Sequence, residues 1–234
     1  MVGFDKQTLR RWRNRLRDRF GAQVYSSRAY SQEGEDLVLR RLFEHQPKGV
    51  YVDVGAHHPF RFSNTCLLYQ RGWHGINIDA LPGSMALFDR FRPRDINLEV
   101  GVGTEVSESL RFFMFEEPAL NTFDADLARQ RQESGWPLQG TTAIKCLTLA
   151  HLLERELPRL PANEIDLLSI DVEGLDLDVL RSNDWTRFRP KALVVEVLDQ
   201  DLSGVAASEV GHFCSSVGYR AFSKLHHTVV FVRE

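Results

Sequence analysis

The chain reads as an α/β fold, a mostly parallel sheet covered by helices on both faces. Three observations predict it. Val50-Tyr51-Val52-Asp53-Val54 is an apolar run that breaks at Gly55, Gly75-Ile76-Asn77-Ile78-Asp79 is a second run ending on an acid, and Ile165-Asp166-Leu167-Leu168-Ser169-Ile170-Asp171 is a third. Short, nearly continuous apolar runs suit strands buried on both faces, and the segments between them carry helix-period apolar residues, as βα alternation requires. With 234 residues, 43% hydrophobic and 26% charged, the chain can fill one substantial core. We therefore expect one domain over residues 30–234, preceded by an N-terminal helical extension over 1–29.

In that extension, Lys6, Arg10, Arg11, Arg13, Arg15, Arg17 and Arg19 surround an apolar stripe of Leu9, Trp12, Leu16 and Phe20, with Gly21 placed to stop the helix. Such a basic amphipathic helix packs its stripe on the domain or on a second subunit. Alternatively, residues 4–20 contact an anionic membrane surface or an acidic partner. Ser31 is a candidate N-cap for a helix carrying Leu37, Val38, Leu39, Leu42 and Phe43. Strands are expected near 50–54, 75–79, 95–100, 111–115, 165–171, 192–198, 219–223 and 228–232. Helices are expected near 63–71, 83–90, 124–132, 148–156, 175–181 and 205–217. Turn formers mark 116–147 and 157–163 as loops, and Gly72 suits the C′ position of the helix ending at Arg71. Only Lys224-Leu225-His226-His227 joins the last two strands, so they form a hairpin and the sheet ends in an antiparallel edge strand.

Net charge of −3 gives no global reason to expect nucleic acid as a partner. No apolar run has membrane-spanning length, and the N-terminus lacks the apolar stretch of a signal peptide. Cys66, Cys146 and Cys214 are odd in number and in no metal or redox spacing. They read as reduced, buried thiols of a cytoplasmic protein.

In an open α/β sheet the ligand lies beyond the carboxyl ends of the strands, so the acids at the strand tips are the first site candidates. Gly55 would let a ligand approach the backbone, and Asp79 would reach a ribose hydroxyl. The first loop is not G-x-G-x-x-G, so a pyrophosphate has no cradle, which favours a nucleoside ligand without phosphates. Asp171 and Glu173 emerge together ahead of Gly174. Two like charges there need a cation or raised pKa values; the plainer alternative is that they cap the next helix, as Asp176 and Asp178 would.

Ser31-Gln32-x-Gly34-Glu35-Asp36, Asp53-Val54-Gly55-Ala56, Ser63-Asn64-Thr65, Arg71-Gly72-Trp73-x-Gly75, Asp171-Val172-Glu173-Gly174 and Glu196, in that order, resemble the FkbM-type methyltransferases. The resemblance runs from about Tyr30 to the C-terminus. It implies the Rossmann-like class I fold, with a seven-stranded sheet whose last strand is reversed, and S-adenosylmethionine as cofactor. It also implies methyl transfer to an oxygen, often of a sugar or a polyketide-derived product. Carried over by position, Asp53 and Gly55 would form the turn beside the methionine part of the cofactor. Asp79 and Ala80 would hold the ribose, Ser31 and Gln32 would close over the cofactor, and Glu99 and Val100 would meet the adenine. Core packing is the alternative for Val100. The chain departs from many class I enzymes in reading Ala56-His57-His58 where a second glycine is common.

A hydroxyl acceptor needs a base or a metal. Asp171 is the first candidate base, with Glu173 as its partner. His57 is the rival base, and His58 is a rival base or a substrate contact. Asp171, Glu173, Glu196 and Asp199 are oxygen donors that would suit Mg²⁺ or another hard divalent cation. Asn64, Asn121 and Glu196 are candidate contacts to a small-molecule or glycan acceptor, and Trp136 and Phe123 are candidate pocket walls; for Asn64 a helix cap is the alternative. Two other readings of the fold stand beside methyl transfer: a nucleotide-dependent oxidoreductase and a noncatalytic nucleoside-binding module.

Overall fold

The computed structural model describes residue 12, residues 26–198 and residues 200–234. The expected helix over 4–20 and the candidate ligand Asp199 lie outside the described residues, apart from Trp12.

The main sheet has seven strands: β1 (Val50–Val54), β2 (His74–Asp79), β3 (Ile96–Glu99), β7 (Leu167–Ile170), β8 (Ala192–Glu196), β9 (Tyr219–Lys224) and β10 (Thr228–Arg233). Their order is β3-β2-β1-β7-β8-β10-β9. The order reverses at β1, where the sheet runs to β2 and β3 on one side and to β7 and β8 on the other, so a crevice opens above the β1 and β7 tips. All five residues of β1 are buried, as a central strand covered on both faces demands. Val52 and Val54 pack with Ile78, Leu168 and Ile170 in the larger core, which α5 (Leu149–Glu156), α6 (Asp176–Arg181) and α8 (Glu209–Ser216) cover. Tyr51 points the other way, into a cluster with Leu39, Phe43, Leu68 and Trp73, supplied mainly by α1 (Glu35–Leu42) and α2 (Cys66–Gln70). Gly72 takes up φ 92° just past α2, the left-handed conformation that ends helices.

Three expectations are corrected. First, β10 is the reversed strand, but it is not the edge; it pairs antiparallel with both β8 and β9, and β9 closes the sheet. Second, 116–147 is not all loop. It holds α4 (Ala125–Glu133), as expected within it, and also the ten-residue strand β6 (Leu138–Leu147). With β4 (Gly101–Val102) and β5 (Ser107–Phe115), β6 builds a separate three-stranded sheet. The strand expected at 111–115 therefore belongs to this second sheet. β6 is exposed at every second residue over most of its length, so Gln139, Thr141 and Lys145 stand where a buried strand would show apolar residues. Third, the N-cap of α1 is Gly34, at φ 95°. Ser31 acts from further back: its hydroxyl donates to Asp36 Oδ1 at 2.8 Å and accepts from the Asp36 N–H at 3.2 Å. The helix expected at 205–217 is split into α7 (Leu202–Ala207) and α8, while α3 spans Met85–Phe91. The three cysteines are free and buried.

Candidate active site

A cleft of about 880 Å³, counted to its open mouth, lies over the tips of β1, β2 and β7 and is roofed by the second sheet. Its floor exists because Gly55 has no side chain. Gly55 turns at φ 79°, and a Cβ there would lie 1.7 Å from the Asp171 carbonyl oxygen. The Gly55 and Ala56 N–H groups both donate to the Ile78 carbonyl, at 2.9 and 3.0 Å, which folds the loop back over β2.

Asp79 stands at the β2 tip. Its carboxylate accepts the His57 N–H and the Leu81 N–H, each at 2.8 Å, so it organises both loops that border it and retains lone pairs toward the cleft. Burial raises its pKa; the two backbone donors oppose that rise. Val100, Val102, Phe112 and Phe123 form an apolar wall, and the Phe112 and Phe123 rings meet at 4.6 Å. Among the described residues three non-glycine residues have positive φ, namely His57 (54°), Phe62 (58°) and Glu173 (56°), and all three line this cleft. Backbone strain of this kind concentrates at functional sites, at a cost of about 1–3 kcal/mol each. Across the mouth, Arg61 donates to both Glu117 oxygens at 2.9 and 3.0 Å, tying the loop after β1 to the roof.

At the β7 tip, Asp171 opens into the cleft, and among the described residues no hydrogen-bond donor reaches its carboxylate. Asp171 is exposed toward the cleft; the protein packed around its base, followed by the nearby Glu196, Asp176 and Glu173 carboxylates, pushes its pKa well above the usual range. Glu173 is different, because its carboxylate is paired with Arg131 of α4. The Glu173 carbonyl accepts the Thr122 hydroxyl at 3.1 Å, and Arg131 also donates to the Leu120 carbonyl at 2.5 Å. One arginine thus joins the strand tip to the roof. Burial raises the Glu173 pKa, and Arg131 opposes it. Asp176 and Glu196 are both pushed up to about 7, by burial first and by neighbouring carboxylates next.

Residues 53–221 match the family described as "Methyltransferase FkbM domain". The chain belongs to the FkbM methyltransferase family. The enzyme is accordingly a methyltransferase of the S-adenosylmethionine-dependent type. It is also similar to two solved structures. One is a TehB-like SAM-dependent methyltransferase from Corynebacterium glutamicum ATCC 13032, at 12% identity and TM-score 0.43, over 98% of this chain and 97% of that one. The other is a precorrin-6y C5,15-methyltransferase from Geobacter metallireducens GS-15, at 11% identity and TM-score 0.43, over 89% of this chain and 94% of that one. No curated protein matches the chain.

Of the residues singled out in this methyltransferase from sequence, Gln32, Gly55, His57, Asp79, Ala80, Val100, Asn121, Phe123, Asp171 and Glu173 come together in the cleft lining. The others do not line it. Asp53 turns away, into a buried network: it accepts from Thr65 Oγ1 at 2.6 Å, and Thr65 in turn accepts from Arg92 at 2.8 Å. Arg92, 1% exposed, also donates to Ser63 Oγ at 2.7 Å and to the Pro59 carbonyl at 2.5 Å, so this network anchors the loop that carries His57 and Phe62. Asn64 donates to Ser169 Oγ at 3.1 Å, and it is the Ser63 hydroxyl that accepts from the Cys66 N–H at the start of α2. His58 Nδ1 accepts the Phe60 and Arg61 N–H groups at 3.0 Å, a turn-stabilising role. Ser31 is engaged with Asp36, and the Glu99 carboxylate accepts from Gly83 N–H at 2.7 Å. Glu196 ends β8 just outside the cleft and Trp136 is exposed away from it; Asn121, within the lining, accepts the Phe115 N–H on Oδ1 at 2.8 Å.

Arg131, Arg61, Glu117, Arg92 and Phe112 were not read from sequence. Each acts through a partner more than ten positions away or through the unrecognised second sheet, so no local pattern marked them. Among the described residues no group of three His, Cys, Asp or Glu side chains is arranged to hold a metal ion. The donors among the described residues therefore do not fit the expected divalent cation.

S-adenosylmethionine does fit the cleft. Gly55 packs backbone to backbone on Asp171, where a Cβ would collide with the Asp171 carbonyl, so no side chain intrudes at this turn; Asp79 would offer a carboxylate to ribose hydroxyls, and the Val100–Phe112 wall would offer apolar contact to a base.

Proposed function

We propose that the enzyme transfers the methyl group to a hydroxyl oxygen, on a sugar or on a glycosylated or polyketide-derived metabolite, with Asp171 as the general base. One observation carries this reading: Asp171 is the cleft carboxylate that lacks a donor among the described residues, whereas Asp79 holds two backbone N–H groups and Glu173 holds Arg131. When bound, S-adenosylmethionine supplies a methyl group on a positively charged sulfur, and that charge disappears in the transfer. The protein's share is alignment and proton removal. Asp79, with Ala80 beside it, binds the ribose, Gly55 lies beside the methionine portion, and the apolar wall packs against the adenine. Asp171 takes the acceptor's proton on a carboxylate oxygen. Its raised pKa makes it a stronger base than an ordinary carboxylate once ionised.

His57 is a poorer base here. Burial and Arg61 lower its pKa, and a ring nitrogen lies 3.4 Å from the Arg61 guanidinium, which competes for the lone pair. An acceptor screen of sugars, glycosides and polyketide alcohols, scored by S-adenosylhomocysteine formation, tests the reading. Hydroxyl acceptors should turn over, with a rate that rises as Asp171 ionises, and Asp171→Asn should lose that turnover. Preference for an amine or carbon acceptor, or full activity of Asp171→Asn, would overturn it.

A further inference from the structure

The residues just ahead of α1 form a strap tied down at both ends. At one end the Tyr30 carbonyl accepts the Ser63 N–H at 3.1 Å and the Tyr30 hydroxyl accepts from Gln70 at 3.0 Å, which fixes it to the loop after β1 and to α2. At the other end the Glu33 carboxylate accepts the His227 N–H on both oxygens, at 3.1 and 2.9 Å, and the His227 ring Nδ1 lies 2.7 Å from Oε1. Next to it the Thr228 hydroxyl donates to Glu35 at 3.1 Å. His227 and Thr228 stand at the start of β10, and the His227 carbonyl accepts the Val197 N–H at 2.7 Å, just past β8. Because β7 and β8 lie between β1 and β10 in the sheet, the strap passes over the β7 and β8 tips, at the carboxyl end of the parallel strands.

Gln32 lies in the middle of this strap. It lines the cleft, and among the described residues its amide has no hydrogen-bond partner, whereas Ser31, Glu33, Glu35 and Asp36 around it are all engaged. A free amide carries two donors and an acceptor, so it can meet either the carboxylate or the ammonium of an amino acid. Its place decides which part of the cofactor is near. Asp79 and Val100 belong to the β2 and β3 side of the cleft, whereas the strap crosses the β7 side, where Gly55 packs on Asp171. An ordinary surface ion pair would be a weak anchor, but the Glu33 side chain is only 13% exposed. Burial raises its pKa, and the His227 donors outweigh that, leaving the carboxyl below its ordinary value.

We propose that Glu33 and His227 are positioning residues for the cofactor: they clamp the strap so that the Gln32 amide stands over the methionine end of S-adenosylmethionine. The inference rests on the placement of the ribose at Asp79 and of the methionine portion beside Gly55, and it is independent of the acceptor and of the base. The effect is preorganisation. With the clamp closed, Gln32 is already in place. With it open, the strap populates other conformations, and the apparent Kd rises in inverse proportion to the closed fraction, so a clamp closed about one-tenth of the time weakens binding about tenfold.

Calorimetry of the full chain with two ligands tests it: S-adenosylmethionine, and 5′-methylthioadenosine, which keeps the adenine, ribose and sulfur and lacks the amino-acid end. Glu33→Ala and Gln32→Ala should each weaken S-adenosylmethionine by about tenfold, equivalent to about 1.4 kcal/mol, and leave 5′-methylthioadenosine affinity unchanged. The double variant should lose little more than Gln32→Ala alone, because Glu33 acts through Gln32. Glu33→Gln keeps an acceptor for the His227 N–H and should show a smaller loss; if thermal unfolding shows that Glu33→Ala does not fold, Glu33→Gln takes its place in the comparison. Unchanged S-adenosylmethionine affinity in folded Glu33 variants or in Gln32→Ala, an equal loss for both ligands, or additive losses in the double variant would overturn the proposal. Asp79→Asn separates the clamp from the placement beneath it, since that variant should weaken both ligands. If it weakens neither, the cofactor placement falls and the clamp falls with it; if it weakens both while folded Glu33 variants weaken neither, the clamp alone falls.

Discussion

Replacing Gly55 with alanine probes the central packing of the cleft. Two penalties add. An L-residue held in the left-handed region costs about 1–2 kcal/mol. The new Cβ would also start 1.7 Å from the Asp171 carbonyl oxygen, where real Cβ atoms essentially never approach within 3.0 Å. The β7 tip must therefore move by more than an ångström, at the expense of the Asp171 N–H bond to the Val54 carbonyl, 3.0 Å long and worth about 1 kcal/mol net. The sum is about 2–3 kcal/mol, or roughly 4–12 °C in unfolding midpoint for a domain of this size. Gly135→Ala is the control. Gly135 also has positive φ, at 90°, but a Cβ there meets nothing within 4 Å, so only the conformational penalty of about 1–2 kcal/mol applies. Thermal unfolding and S-adenosylmethionine calorimetry on both variants separate the terms. Gly55→Ala should lose more stability and also lose cofactor affinity. Equal stability losses with cofactor binding intact in both would refute the close-approach argument.

Three further outcomes follow from the geometry. Arg131→Met leaves the half-buried Glu173 carboxylate unpaired and should destabilise the protein by about 1–3 kcal/mol in denaturant titration, with a smaller loss in Arg131→Lys. Asp176 and Glu196 have folded pKa values of about 7 against ordinary values of 3.8 and 4.5. Stability held by their protonated forms is complete below about pH 4 and is lost as pH rises toward 7, because over that window the folded chain binds more protons than the unfolded one. The unfolding midpoint should therefore fall between pH 5 and pH 8, and Asp176→Asn should raise it at pH 8 while changing little at pH 5; a midpoint that climbs over this range would contradict the assignment. His57→Gly relieves a strained φ of 54°, worth about 1 kcal/mol, so calorimetric unfolding should show a midpoint no lower than that of the parent.

The parts of the molecule readable from sequence are those whose physics is local. β1, β2 and β7 announced themselves as apolar runs because both faces of each are covered, and the four-residue link at 224–227 declared the hairpin. The acids at the β2 and β7 tips followed from the geometry of parallel sheets. What escaped was non-local or one-sided. β6 alternates with solvent on one side, and Pro137 and Gly140 disguise its start. The position of β10 inside the sheet depends on pairing with β8, which no local pattern encodes. Asp53 follows the pleat: one residue after the core-facing Val52 and two after Tyr51, it shares the Tyr51 face, away from the cleft. Asn64 and His58 looked like site residues because they lie near the cofactor turn, yet the first bonds Ser169 and the second bonds its own loop. Arg131 reaches Glu173 from a segment forty-two residues earlier in the chain, so only the folded structure pairs them.

The division of labour between the two strand-tip acids is best tested by calorimetry of Asp79→Asn and Asp171→Asn with S-adenosylmethionine. Asp79→Asn is expected to weaken binding by about tenfold or more, the scale of one charge-assisted hydrogen bond, whereas Asp171→Asn should bind within a few-fold of the parent and yet support no methyl transfer. Binding lost in Asp171→Asn and retained in Asp79→Asn would contradict the assignment of both residues.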